Sequence, residues 1–362
     1  MHLVKRGAHD TRAAHMAPDG VNPDNARLMP QTIPSTPLRH WQEQLADLVT
    51  DPQELLALLG LSPAQLDLAP AALEGFPLRV PRPYLARMRR GDPRDPLLLQ
   101  VLPLGKELLD VPGYSADPLQ ELDANAVPGL LHKYAGRVLL ITTQSCAIHC
   151  RYCFRRHFPY ADNRPGRAQW QQALDYIVAD SSINEVILSG GDPLATSNTY
   201  LSWLVEELRQ IPHLQRLRLH TRLPLMLPDR VDRALLDILA GWPGQVVMVL
   251  HANHAQELDA EVDAACARLR SVGVQLLNQS VLLQGINDSA EILTDLSERL
   301  FAAGVLPYYL HQLDKVAGAA HFAVTDARAL ELAAELRSRL PGYLVPQLVR
   351  ESAGDSAKMP LA

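Results

Sequence analysis

From Gly136 onward the chain alternates two kinds of apolar spacing. Short runs rich in β-branched residues predict strands: RVLLIT (137–142), EVILSG (185–190), RLRLHT (216–221), VVMVLHA (246–252), VQLLNQSV (274–281) and LPYYLHQ (306–312). Between them, AQWQQALDYIVAD, TYLSWLVEELRQI, PDRVDRALLDILAG, AEVDAACARLRSVG and AEILTDLSERLFAAG carry helical apolar spacing. A βα unit repeated six times implies a parallel sheet with helices outside it. Right-handed crossovers curl such a sheet toward a barrel, and six units fall short of the eight that close one. The expected fold is therefore α/β, an open, partial (β/α)6 barrel over residues 131–362. A doubly wound open sheet is the alternative.

Upstream, the pattern is different. Residues 1–36 are rich in Pro, Asn, Asp and Ala without periodicity, and are expected to be a disordered extension. Residues 37–130 are expected to be mainly helical. HWQEQLADLVTDPQELLALLGL has helical spacing with a helix start at Asp51-Pro52, and a Pro-rich stretch, FPLRVPRPYLARMRRGDPRDP, follows.

Composition changes this picture in three places. The formal net charge of −6 argues against a broad nucleic-acid-binding face. No apolar run reaches the ~18–20 residues of a membrane-spanning helix, and the N-terminus has no apolar signal core. Four cysteines, three of them bunched, are not a disulfide framework, so a reducing, cytoplasmic setting is expected. Arginine dominates the basic residues, so one arginine is little informative. The five lysines (Lys5, Lys106, Lys133, Lys315 and Lys358) stand out more.

The chemistry-bearing residues gather where parallel α/β folds build sites, at the C-terminal ends of strands. Cys146, Cys150 and Cys153 follow the first strand. Ser189, Gly190, Gly191 and Asp192 end the second, and His220, Thr221 and Arg222 the third. His251 and Asn253 follow the fourth, Asn278, Gln279 and Ser280 lie on the fifth, and Gln312 and Asp314 follow the sixth. Cys-x3-Cys-x2-Cys suits a soft or borderline metal. Structural zinc wants a fourth ligand, and none is well spaced here. A 4Fe–4S cluster on three cysteines leaves one iron open; zinc stays as the alternative. Cys266, in a helical pattern, reads as a small buried apolar residue.

The motif, with Tyr152 before its third cysteine, resembles the radical S-adenosylmethionine (SAM) superfamily. The strings CRYCFRR, SGGDPL, NQSVLLQGIND, PYYLHQLD and HFAV resemble its lysine 2,3-aminomutase branch. Within that branch the chain is similar to the short members that act on lysine for elongation factor P; the larger members carry a further C-terminal extension. The resemblance runs from about Trp41 to the C-terminus.

That resemblance implies three cofactors. Cys146, Cys150 and Cys153 match the 4Fe–4S ligands. SAM completes the cluster, with Gly190, Gly191 and Asp192 beside its methionyl group, Gln279 at its ribose and His251 nearby. Lys358, in RESAGDSAKMPLA, matches the lysine that forms an imine with pyridoxal phosphate (PLP), and Lys133 and Arg137 match cations for its phosphate. The family's glycine run is replaced here by Ser352, Ala353, Gly354, Asp355, Ser356 and Ala357. An amine that forms an imine must be neutral, so a depressed pKa is expected at Lys358.

The resemblance also implies a substrate and partners. Arg155 matches the arginine for the lysine carboxylate, whereas Arg156 has no assigned role. Asp314 and Glu351 match the acidic pair for the distant ammonium, and Glu351 stands where the large members use aspartate. The implied reaction is a 1,2-amino shift, started by a 5′-deoxyadenosyl radical, that turns L-lysine into β-lysine. A flavodoxin- or ferredoxin-type electron donor is implied, and a ligase that attaches β-lysine to elongation factor P. No nucleic acid or membrane partner is expected. The alternatives are a radical SAM enzyme for another amino acid or for protein-attached lysine, and a metal-binding protein without radical chemistry.

Overall fold

A computed structural model of the chain describes residues 40–159, 167–355 and 357–362. The extension expected at 1–36 lies outside the described residues. One ten-stranded sheet runs in sequence order. Its strands are β1 (Asn125–Val127), β2 (Leu130–Tyr134), β3 (Arg137–Thr143), β4 (Glu185–Gly190), β5 (Arg216–Thr221) and β6 (Gln245–Leu250). β7 (Gln275–Val281), β8 (Leu306–His311), β9 (Gln347–Arg350) and β10 (Met359–Pro360) follow. β3 through β9 are parallel, while β1, β2 and β10 pair antiparallel at the two edges.

Strand order never reverses, as a doubly wound sheet requires, so that alternative falls. Side chains from β3 to β8, with Glu351 just past β9, line a single cavity, so the sheet wraps around it. β1 and β10 remain edges. Lys133 on β2 reaches Glu351 with a 2.7 Å ion pair, and this contact crosses the open seam that no ladder closes.

Helices cover the outside: α1 (Trp41–Ala46), α2 (Pro52–Leu59), α3 (Arg82–Leu85), α4 (Pro96–Leu99), α5 (Arg167–Ala179) and α6 (Asn198–Arg209). α7 (Leu223–Met226), α8 (Arg233–Ala240), α9 (Ala260–Ser271), α10 (Ala290–Ala302) and α11 (Asp326–Arg339) complete the set. Five crossover helices start in the same way. Ser197, Asp232, Asp259, Ser289 and, for α11, Thr325 each accept a hydrogen bond from the backbone three residues on, which satisfies a donor the helix leaves open. Buried leucines on α10 and α11, such as Leu293, Leu332 and Leu336, pack against Leu310 and Leu348 of the sheet.

Residues 40–124 form a helical N-terminal region, as expected. Asp51 does cap α2 and Pro52 does open it. Helices here are short, however, four to eight residues each, joined by turns. The region is tied to the barrel by specific contacts: Trp41 Nε1 donates to Asp232 (3.1 Å), and Arg87 pairs with Asp259 (2.8 Å). Among the described residues no helix is long and apolar enough to cross a membrane.

Candidate active site

The loop after β3 carries Cys146, Cys150 and Cys153, all free and partly exposed. Its entry is clamped to the end of β4. Gly191 N donates to Thr143 O (2.6 Å) and Asp192 N to Ser145 O (2.8 Å). These contacts require glycine. A Cβ at Gly191 would lie 2.5 Å from Ser145 O, and one at Gly190, where φ is +108°, would lie 2.7 Å from Thr143 O. Glycine thus serves a close approach of backbone to the cysteine loop, whereas the sequence pointed to an approach toward a ligand. Asp192 is likewise engaged internally: Thr221 Oγ1 (2.6 Å) and the backbone N of Leu194, Arg222 and Leu223 (2.8–3.0 Å) donate to its carboxylate.

Below the loop, Arg151 is fully buried and pairs with Glu107 (2.6 Å), which also holds Arg156 (2.8 Å). Arg156 therefore anchors the loop to the N-terminal region. Behind the loop lies a buried polar cluster. Arg222 Nη1 donates to Cys150 Sγ (2.7 Å) and to Tyr152 Oη (2.8 Å), and Arg222 Nη2 pairs with Glu257 (2.6 Å). Burial, then the neighbouring thiol of Cys150, pushes Cys153 up to about 11; burial, then Cys153, raises Cys146 well above an ordinary thiol. Neutral thiols are what a site of this kind holds before a cation arrives and displaces the protons. Among the described residues no three His, Cys, Asp or Glu side chains close around a point that would hold a single metal ion.

The opposite wall is built by the chain's last residues. β10 pairs with β9 through Met359 with Arg350 and Pro360 with Val349. Gly354, in a left-handed conformation at φ +81°, turns the segment between them. Lys358 is thereby brought to Glu351 Oε2 and to His311 Nε2, each 3.2 Å from Nζ, and stands 5.5 Å over the Tyr309 ring. Glu351 is the hub. Its Oε1 accepts from Lys133 Nζ (2.7 Å) and Tyr134 Oη (3.0 Å).

The charges sort accordingly. Burial works to raise Glu351, yet Lys358 and Lys133 overcome it and hold the carboxyl at about 2. Burial lowers the Lys358 amine despite Glu351, in the direction expected for an imine-forming lysine. Burial, then Glu351, raises Asp314 to about 7. Asp314 makes no side-chain hydrogen bond or ion pair among the described residues, and its carboxyl opens onto the cavity.

Between the two walls, Gln279 Nε2 meets His251 Nε2 at 3.0 Å, and burial, then Arg222, lowers His251 to about 3. Arg155 reaches the cavity, but Glu121 grips it bidentately at Nε and Nη2 (2.6 and 2.8 Å), and Nη1 donates to Ser189 Oγ (3.1 Å). Arg137 stacks over Tyr134 (4.6 Å).

All the residues singled out for the cluster, SAM, PLP and substrate line one cavity of about 1040 Å³, at the upper end of the ~300–1,000 Å³ typical of a single ligand. Several of them already have internal partners: Lys133 and Lys358 hold Glu351, Arg155 holds Glu121, and Asp192 accepts four hydrogen bonds from the turns around it. Gln312 is not part of the site; its Nε2 donates to Val324 O and Asp326. Cys266 is buried on α9, as expected. Sequence reasoning missed Glu121, Tyr134, His311 and Glu257, and gave Arg222 no role. Only Arg222 and His311 had a signal, their place at strand ends.

An open barrel that gathers three cysteines after its first parallel strand defines the class. A family model described as the Radical SAM superfamily matches residues 140–296. The chain is 51% identical over 329 residues to the L-lysine 2,3-aminomutase of Escherichia coli (strain K12), covering 90% of this chain and 96% of that protein. It is 48% identical to the enzyme of that name from Haemophilus influenzae, over 92% of this chain and 98% of the other. It is 33% identical to the one from Clostridium subterminale, over 89% and 77%. The chain belongs to the L-lysine 2,3-aminomutase family. Radical SAM membership implies a 4Fe–4S cluster and SAM, and the three partly exposed thiols on one cavity wall fit the cluster.

Proposed function

We propose that this enzyme converts L-lysine to β-lysine by moving the amino group from C2 to C3, with PLP as its third cofactor. When bound, SAM on the cluster supplies the radical, and PLP supplies the conjugated system that lets the amino group migrate. The chain's own residues do the rest. Cys146, Cys150 and Cys153 hold the cluster. Gly190, Gly191 and Asp192 shape the SAM wall, the two glycines by letting β4 close on the cysteine loop; Gln279 and His251 face it as a pair.

Lys358 is the residue for PLP. Glu351 and His311 accept from its ammonium and orient Nζ on the cavity. Nζ must lose a proton before it attacks a carbonyl, and burial eases that loss. Lys133 and Arg137 supply the positive charge that a phosphate needs. Arg155 faces the substrate carboxylate across the cavity, and Glu121 fixes the plane of its guanidinium fork. Asp314 and Glu351 receive the distant ammonium. An arriving cation turns Asp314 from a half-protonated acid into a carboxylate.

One observation carries this reading: a lysine at the extreme C-terminus shares a cavity with three cysteines more than 200 residues earlier. The test is anaerobic reconstitution with iron, sulfide, SAM, PLP, reductant and L-lysine, with each cofactor omitted in turn. β-Lysine is expected only from the complete mixture. Lys358→Ala is expected to lose the PLP absorbance band while keeping its iron; an unchanged band would remove Lys358 from the PLP site. The short-branch resemblance extends the proposal to a role for the product: β-lysine for a ligase that modifies elongation factor P, with a flavodoxin- or ferredoxin-type protein as electron donor. Supplying that ligase from this reaction tests the link.

A further inference from the structure

We infer that Arg222 is a positioning residue that sets the reduction potential of the cluster, through its hydrogen bond to Cys150. The inference rests on the reading that Cys146, Cys150 and Cys153 hold a 4Fe–4S cluster. Cys150 is the cysteine with a charged donor: Arg222 Nη1 lies 2.7 Å from its sulfur. Cys153 accepts from the backbone N–H of Arg155 and feels the Arg155 and Arg156 charges, and among the described residues no side-chain donor reaches Cys146.

The donor is built in, not incidental. Arg222 backbone N and Leu223 N both donate to Asp192 Oδ2 (2.8 and 3.0 Å), which pins the turn after β5 to the end of β4. From there the side chain runs inward, with the residue only 7% exposed. Glu257, wholly buried, takes Nη2 (2.6 Å), and Gln100 Oε1 lies 3.2 Å from it. Tyr152, itself held by Asn253 (2.6 Å), shares Nη1 with the sulfur. A guanidinium held on so many sides cannot swing away from Cys150.

The consequence follows from charge. Hydrogen bonds to ligand sulfurs, local charge and exposure set the potential of an iron–sulfur cluster. Reduction adds negative charge to the sulfurs, and a charged N–H donor binds a more negative acceptor more strongly. The reduced state is therefore favoured, which raises the potential and makes the electron that starts SAM cleavage easier to deliver. A guanidinium acting through its charge alone would let Arg222→Lys keep the wild-type potential.

The test separates these roles without using turnover. Wild type, Glu257→Gln, Arg222→Lys and the double variant Arg222→Met/Glu257→Gln are reconstituted anaerobically without SAM. Iron and sulfide are counted, and the reduced cluster is titrated against potential by electron paramagnetic resonance. The double variant removes the donor and its counter-ion together, so no buried charge is stranded. Its reduced-to-oxidised ratio is expected to fall at least ~10-fold at a fixed potential, equivalent to ~59 mV for one electron. Glu257→Gln keeps the donor and is expected to show an equal or higher potential. Arg222→Lys keeps the positive charge but has a shorter, non-planar head, and is expected to shift in the same direction as the double variant. It decides the matter if the double variant does not fold. A fully loaded double variant, or a fully loaded Arg222→Lys, with the wild-type midpoint would overturn the inference. Wild type that takes up no cluster would instead overturn the ligand assignment beneath it.

Discussion

Asp314→Asn is expected to stabilise the cofactor-free protein above neutral pH while removing its affinity for lysine. The reason is the direction of its pKa: 3.8 ordinarily, about 7 in the fold, chiefly through burial and then the nearby Glu351. A folded-state value above the unfolded one means that stability is fully present below pH ~4 and is lost as pH rises through about 7. At 1.36 kcal/mol per pH unit, the gap corresponds to ~4 kcal/mol lost at pH 8.5 relative to pH 3.5. Asn has nearly the same shape and no charge, so it escapes that loss. The difference between variant and wild type should thus grow by ~2 kcal/mol between pH 5.5 and pH 8.5, where wild type covers the second half of its decline. The assay is urea unfolding of the iron- and PLP-free protein, read by tryptophan fluorescence at both pH values. A variant-minus-wild-type difference that stays flat with pH, or shrinks, would refute the reasoning. The same logic predicts that lysine binding near pH 7 releases about half a proton in wild type, visible as buffer-dependent heat of binding.

Other outcomes follow from the same geometry. Gly191→Ala, with its Cβ driven to 2.5 Å from Ser145 O, should displace the cysteine loop and lose most bound iron while far-ultraviolet circular dichroism stays near native. Glu107→Gln leaves Arg151 and Arg156 buried without their carboxylate and should cost ~3–5 kcal/mol, seen as a lowered melting temperature. Glu121→Gln should raise the KM for lysine several-fold with little change in kcat, because it loosens the plane of Arg155. Cys266→Ala should leave iron content unchanged and cost only ~1 kcal/mol, since its thiol packs as an apolar group.

The barrel was readable because β3, β4 and β6 carry runs of buried apolar residues, β5 and β7 alternate buried with less buried positions, and the chemistry-bearing polar residues collect at the C-terminal ends of the strands. β2, β9 and β10 were not readable. They are edge or near-edge strands of two to five residues, and β10 exists only because β9 is there to pair with it. Lys358 owes its place to that pairing, so only likeness to a family pointed to it. Glu121 lies in a stretch without periodicity, and a lone acid carries no signal. Arg222 sat in plain view at a strand end, but an arginine-rich chain hides any single arginine. Lys133 and Arg155 show the limit of reading a role from position: both line the cavity, and each has found an internal carboxylate.

The most direct measurement follows the nitrogen. L-Lysine carrying 15N at the α-amino group and 13C at C3 is given to the fully reconstituted enzyme, and the product is examined by nuclear magnetic resonance. A new one-bond 13C–15N coupling at C3, absent without SAM and absent in Lys358→Ala, is the expected result. Lysine recovered unchanged from enzyme with cluster and PLP both loaded, or a product whose nitrogen came from the solvent, would contradict the proposal that one cavity performs the shift.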